Sequence, residues 1–154
     1  MPALDKQQIC ALIPHRDPFL WVDDVVDVSP ARIQARKRVS PDLELFRGHY
    51  PGQPVLPGVM LCEAAMQAGA ILIALHPEGA IAPGAVPVAT RINNVKFRQI
   101  VRPGDLLEIE VDLTERLAQA FYLTARIKVA GKLAAQLDFA CTATAPPEAG
   151  RTAP

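Results

Sequence analysis

The sequence carries no excess of charge of either sign. Sixteen lysines and arginines balance sixteen aspartates and glutamates, and the isoelectric point is about 6.8. That balance argues against nucleic acid or an anionic membrane as the main partner. Cysteine is scarce as well. Cys10, Cys62 and Cys141 are odd in number, far apart and without CxxC or Cys/His spacing, which excludes a disulfide framework, offers no zinc site and fits a reducing cytosol. The opening residues, MPALDKQQIC, lack the cationic start and long apolar run of a secretory signal. No internal repeat is present. Only residues 56–75 approach membrane length, and they open on a proline-glycine pair and carry Glu63 and Gln67, so a buried core helix is expected there rather than a span.

What is present is globular. At 154 residues, half of them hydrophobic and 21% charged, the chain suits one domain with a real core. Leu4, Ile9, Leu12 and Ile13 stand among polar residues and predict a short surface helix stopped by Pro14. Residues 20–28, rich in valine, predict a strand, and residues 32–39 one that pairs back as a hairpin, with Arg36, Lys37 and Arg38 along a solvated edge. Residues 40–55 predict a loop. Pro57 then opens a long helix reaching residue 75, and residues 88–100 predict a further strand.

The clearest alternation follows. Leu107, Ile109, Val111 and Leu113 face one way against Glu108, Glu110, Asp112 and Thr114; Phe121, Leu123, Ala125, Ile127 and Val129 repeat this, and Leu133, Ala135, Leu137, Phe139 and Cys141 continue it. Three such strands make an antiparallel meander buried on one side. The helix is apolar on nearly every face and has to be surrounded by protein. An α+β arrangement over residues 1–143, with the sheet wrapped around the long central helix, satisfies both needs. Residues 144–154 lose all pattern and predict a disordered tail.

One stretch, residues 48–75, reads GHYPGQPVLPGVMLCEAAMQAGAILIAL and contains no lysine or arginine. Glu63 and Gln67, four residues apart, share a helix face. A carboxylate without a cation on so apolar a helix is costly, so either that face meets water or the residue has a chemical task. His49 lies in a loop whose glycines and prolines constrain the backbone, the kind of segment that displays catalytic side chains. Singly, a loop histidine is more often a surface group and a helix glutamate usually points at solvent. Together they form an acid/base pair, because burial disfavours the charged form of each and lets a base and an acid coexist near neutrality. Gly58 and Val59 at the helix start present amides without intrahelical partners at the positive end of the dipole. Such amides stabilise charge growing on a carbonyl oxygen, and glycine at 58 permits close approach. The set suggests proton abstraction next to a carbonyl.

The blocks IPHRDPFLWVD (residues 13–23), FRGHYPGQPVLPGVMLCEAAMQAG (46–69) and NNVKFRQIVRPGD (93–105) resemble the signature blocks of the FabZ-type (3R)-hydroxyacyl-[acyl carrier protein] dehydratases. The resemblance implies a hotdog fold and a homodimer, often assembled into a trimer of dimers, with acyl carrier protein as the partner that presents the substrate. It implies that His49 takes the C2 proton, that Glu63 of the other subunit assists departure of the C3 hydroxyl, and that Gly58 donates to the thioester carbonyl. It implies no metal, nucleotide or redox cofactor, and glutamate rather than aspartate at 63 points to dehydration without isomerisation. Tyr50 replaces the commoner phenylalanine, Ala65-Met66 inverts the commoner order, and residues 85–94 lack the aromatic gate of some members. His15 and Arg16 read as structural ties of the N-terminal loop. Two other readings stand beside the dehydratase: a hotdog acyl-thioester hydrolase, and a non-catalytic acyl-binding relative.

Overall fold

In the computed structural model, which describes residues 3–76 and 81–144, the chain starts with helix α1 (Lys6–Leu12). The Asp5 side chain accepts from the Gln8 amide while the Gln8 side chain accepts from the Asp5 amide, each at 2.9 Å. This reciprocal cap satisfies two amides that the helix itself cannot, and Ile9 anchors the helix in the core. The predicted hairpin forms from β1 (Asp24–Ser29) and β2 (Arg32–Arg38). Its first strand begins later than the valine pattern suggests, because the Trp21 amide is taken by the side chain of Gln67 at 2.7 Å rather than by a neighbouring strand.

The solvated edge expected at Arg36, Lys37 and Arg38 is not there. β2 is an inner strand, paired with β1 on one side and with β4 (Leu106–Leu117) on the other. Its cations are engaged: Arg36 bonds Asp24 at 2.8 Å, Lys37 bonds Asp23 at 2.9 Å and lies over the Trp21 ring, and Arg38 reaches the Gly104 carbonyl at 3.0 Å. Between β2 and the long helix, the predicted loop contains one short 3₁₀ turn, Glu44–Arg47, whose Phe46 is buried.

β3 (Val86–Phe97) precedes β4 in the chain but lies at the far side of the sheet. β4, β5 (Ala120–Val129) and β6 (Lys132–Thr144) form the predicted meander, and β3 pairs with β6, giving six antiparallel strands in the order β1-β2-β4-β5-β6-β3. β6 keeps its pairing to Thr144, opposite Val86; the predicted disordered tail beyond it lies outside the described residues.

The sheet curls about helix α2 (Gly58–Ala74). Leu61, Ile71, Leu72 and Ile73 are at most 2% exposed, each such burial contributing about 1.5–3 kcal/mol. Small residues, Ala64, Ala65, Ala68 and Gly69, let the helix lie close to the strands. At Gly69 a methyl group would stand 2.6 Å from the Phe139 ring and 3.2 Å from Leu123, so a larger residue fits only if the Phe139 ring shifts. This is the α+β hotdog layering: one long apolar helix wrapped by one antiparallel sheet. Among the described residues no helix is long and apolar enough to cross a membrane.

Candidate active site

Gln67 is the fixed point of the site. It is the one buried polar side chain among the described residues, 1% exposed, and its amide is fully used. Its Oε1 accepts from the Trp21 amide at 2.7 Å, and its Nε2 donates to the Phe19 carbonyl at 2.9 Å and to Glu63 Oε1 at 2.8 Å. The same side chain therefore fastens the segment before β1 to α2 and orients the carboxyl one helical turn earlier. Glu63 is not stranded among apolar groups. Its side chain is 20% exposed and opens into a cavity of about 270 Å³ between α2, the N-terminal loop and the start of β3. Met66, Ala70, Val88 and Ala89 give that cavity apolar walls.

His15 also lines this cavity, and its Nε2 lies 3.7 Å from Glu63 Oε1. His15, expected only as a structural tie of the N-terminal loop, thus stands at the candidate site. The segment between Pro14 and Pro18 folds back over α2, held at one end by Arg16 and at the other by Gln67. Arg16 donates to the carbonyls of Cys10 at 2.8 Å, Ile13 at 2.8 Å and His15 at 2.6 Å. A guanidinium at the C-terminal end of α1 satisfies carbonyls the helix leaves free and complements its dipole. Arg16 is thus the structural tie expected of it. The sequence hint that was missed is the pairing of a proline-bounded, histidine-bearing segment with a buried glutamine that needs backbone partners.

His49 sits in a strained loop, as its sequence context predicts. Tyr50 has φ 58° and Gly52 φ 89°; a bulky residue in the left-handed region costs of order 1–3 kcal/mol and persists where surrounding structure demands it. The Tyr50 ring stands edge-on to His49, with centroids 4.7 Å apart. His49 Nδ1 is 2.6 Å from the Val55 carbonyl. A carbonyl oxygen only accepts, so Nδ1 carries the hydrogen and Nε2 presents its lone pair. That is the tautomer a general base requires. His49 is not among the residues that line the Glu63 cavity of the same chain.

Pro57 is the N-cap of α2, and its carbonyl takes the Met60 amide at 3.0 Å. Gly58 and Val59 follow as the first helical residues, whose amides intrahelical bonding leaves free. Val59 is 69% exposed. What approaches Gly58 closely is the ring of Phe97, 2.7 Å from where a methyl group would sit. Gly58 thus lets the end of β3 cover the helix start.

A larger groove, about 420 Å³, lies on the outer face of the sheet. Within its walls Arg126 pairs with Glu110 at 2.6 Å, and Arg36 is engaged by Asp24 beyond the groove at 2.8 Å. The smaller cavity, which holds Glu63, His15 and Gln67, is the candidate site. The two thiols nearest to it are inert: burial pushes Cys62 up and takes Cys141 up to about 11.

Residues 13–138 match the FabA-like domain family. The chain is 43% identical over 143 residues to the 3-hydroxyacyl-[acyl-carrier-protein] dehydratase FabZ of Chloroflexus aggregans, covering 90% of this chain and 96% of that one. It is 39% identical over 139 residues to the FabZ of an Anaeromyxobacter species, covering 90% of this chain and 89% of that one. Among solved structures, the dehydratase heterocomplex ApeI:P from Xenorhabdus doucetiae superposes with a TM-score of 0.75 at 20% identity over 88% of this chain and 90% of that one, a likeness of fold.

Proposed function

We infer that this chain, which belongs to the FabA-like family, is a 3-hydroxyacyl-[acyl carrier protein] dehydratase of fatty acid biosynthesis. It converts a (3R)-3-hydroxyacyl thioester into the trans-2-enoyl thioester and water. His49 Nε2 removes the C2 proton, and the amides of Gly58 and Val59 meet the negative charge that develops on the thioester oxygen. Glu63 gives its proton to the C3 hydroxyl, which leaves as water with the electrons of the broken C–O bond while the C2–C3 double bond forms. Return of a proton from His49 to Glu63 resets the site. The observation that carries this reading is Glu63 itself: a carboxyl oriented by an amide, in an apolar-walled cavity, with no lysine or arginine bonded to it among the described residues.

The working site is built from two copies of the chain. In support, His49 lies outside the lining of its own chain's Glu63 cavity, and β3 is an edge strand with Val88, Ile92, Val95 and Phe97 between 37% and 52% exposed. A second copy along that edge covers this apolar face and brings its His49 to Glu63. Lys96, Arg98 and Arg102, all exposed, form the docking surface for an acidic acyl carrier protein. The compartment is the cytoplasm. Incubating the purified protein with 3-hydroxyacyl and with 2-enoyl thioesters tests the reaction: interconversion is expected, and release of free thiol without it would sink the assignment in favour of a thioester hydrolase.

A further inference from the structure

Glu63 is held through one oxygen only. Gln67 Nε2 donates to Oε1 at 2.8 Å, and His15 Nε2 faces the same Oε1 at 3.7 Å. Among the described residues Oε2 has no protein partner. His15 offers a second observation: its Nδ1 is buried and has no hydrogen-bond partner. A buried N–H left without an acceptor is rarer than a buried acceptor left under-satisfied. With its hydrogen on Nε2, directed at Glu63, His15 buries only a lone pair at Nδ1, the opposite tautomer from that of His49.

We propose that His15 is a positioning residue for Glu63: its Nε2–H, with the Gln67 amide, fixes Oε1 as the accepting oxygen and so places the acid proton on Oε2. A carboxylic acid has one acceptor-only oxygen and one hydroxyl oxygen. Two donors converging on Oε1 oblige it to be the acceptor, and Oε2 becomes the atom that protonates the leaving hydroxyl. The 3.7 Å contact is electrostatic as it stands; closing by roughly half an ångström makes it a hydrogen bond, and such bonds tighten when substrate fills the site. The loop is built for this. Arg16 grips the His15 carbonyl at 2.6 Å, and Gln67 grips the loop beyond it through Phe19 and Trp21, so the imidazole is presented to α2 from a backbone tethered on both sides.

The proposal rests on Glu63 being the acid, and the test separates the two. His15→Phe keeps the ring volume and removes the donor. His15→Gln restores an amide N–H near the position of Nε2, whereas His15→Asn places its amide near Nδ1. With a 3-hydroxyacyl thioester, His15→Phe is expected to lower kcat by about tenfold to a hundredfold, the scale of a misplaced catalytic group, with KM within about twofold. His15→Gln recovers most of that loss and His15→Asn does not. In a Glu63→Gln background, His15→Phe costs less than about twofold further, because its effect runs through Glu63. Equal losses for Gln and Asn, or a full additional loss in the Glu63→Gln background, overturn the positioning role. Wild-type turnover in Glu63→Gln itself overturns the assignment of the acid instead. Thermal melts of each variant register misfolding, and His15→Gln with His15→Asn decide the matter alone if His15→Phe fails to fold.

Discussion

On the outer face of the sheet Glu110 is gripped by Arg126 at 2.6 Å and Asp112 by Arg32 at 2.5 Å. On the inner side Glu63 is met only by an amide and an imidazole. The outer carboxylates face guanidinium groups that never lose their charge, and the Arg126 hydrogen bond, first among the causes, holds Glu110 below the usual carboxylate range. These pairs serve register: β2, β4 and β5 align so that Arg32 stands opposite Asp112 and Glu110 opposite Arg126. Glu63 has no lysine or arginine against it among the described residues and faces the cavity instead. One fold thus keeps cation-paired carboxylates where the sheet meets water and one without a cation where the helix meets the cavity.

The largest effect that sharpens this contrast is catalytic. Glu63→Gln and His49→Ala are each expected to reduce turnover of 3-hydroxyacyl thioesters by about a hundredfold or more while leaving the melting temperature close to wild type. Replacing Glu110 by Gln should leave turnover unchanged. Activity within about tenfold of wild type in either inner variant would erase the distinction between the two faces.

Gln67→Leu comes next. It strands the Trp21 amide and the Phe19 carbonyl, each an unsatisfied buried group at about 1–3 kcal/mol, and releases Glu63 as well. Denaturant titration should show a loss of roughly 2–5 kcal/mol, and kcat should fall together with stability. A third effect is purely steric. Gly69→Ala drives a methyl group against Phe139 and should cost about 1–3 kcal/mol, with KM and kcat per folded molecule nearly unchanged.

Much of this was legible in the sequence, and the exceptions share a cause. The meander from residue 106 onward could be read because its period-two pattern is local. The long helix could be read because Pro57, the apolar run and the break after residue 75 are local too. Glu63, Gln67 and His49 stood out by chemistry against that background. What escaped depends on partners distant in the chain: β2 became an inner strand only because β4, some seventy residues on, pairs with it. His15 likewise meets Glu63 from a loop nearly fifty residues earlier in the chain, and only the folded chain shows that the Gln67 amide is spent on residues 19 and 21. The cover that Phe97 gives Gly58 is equally non-local.

The smallest effect concerns the outer ladder alone and carries a sign in pH. Arg126 is 49% exposed and Glu110 25%, so Arg126→Gln should cost about 1 kcal/mol or less and leave turnover unchanged. Because Glu110 is held below its ordinary range in the folded chain, its pairing contributes fully above the ordinary glutamate value of about 4.3. That contribution disappears as pH falls through the lower folded value. The gap in melting temperature between wild type and Arg126→Gln should therefore be flat near neutrality, shrink below about pH 4 and narrow with added salt. A gap that survives undiminished at strongly acidic pH would mean that Arg126 acts through the packing of its stem on the sheet rather than through its charge.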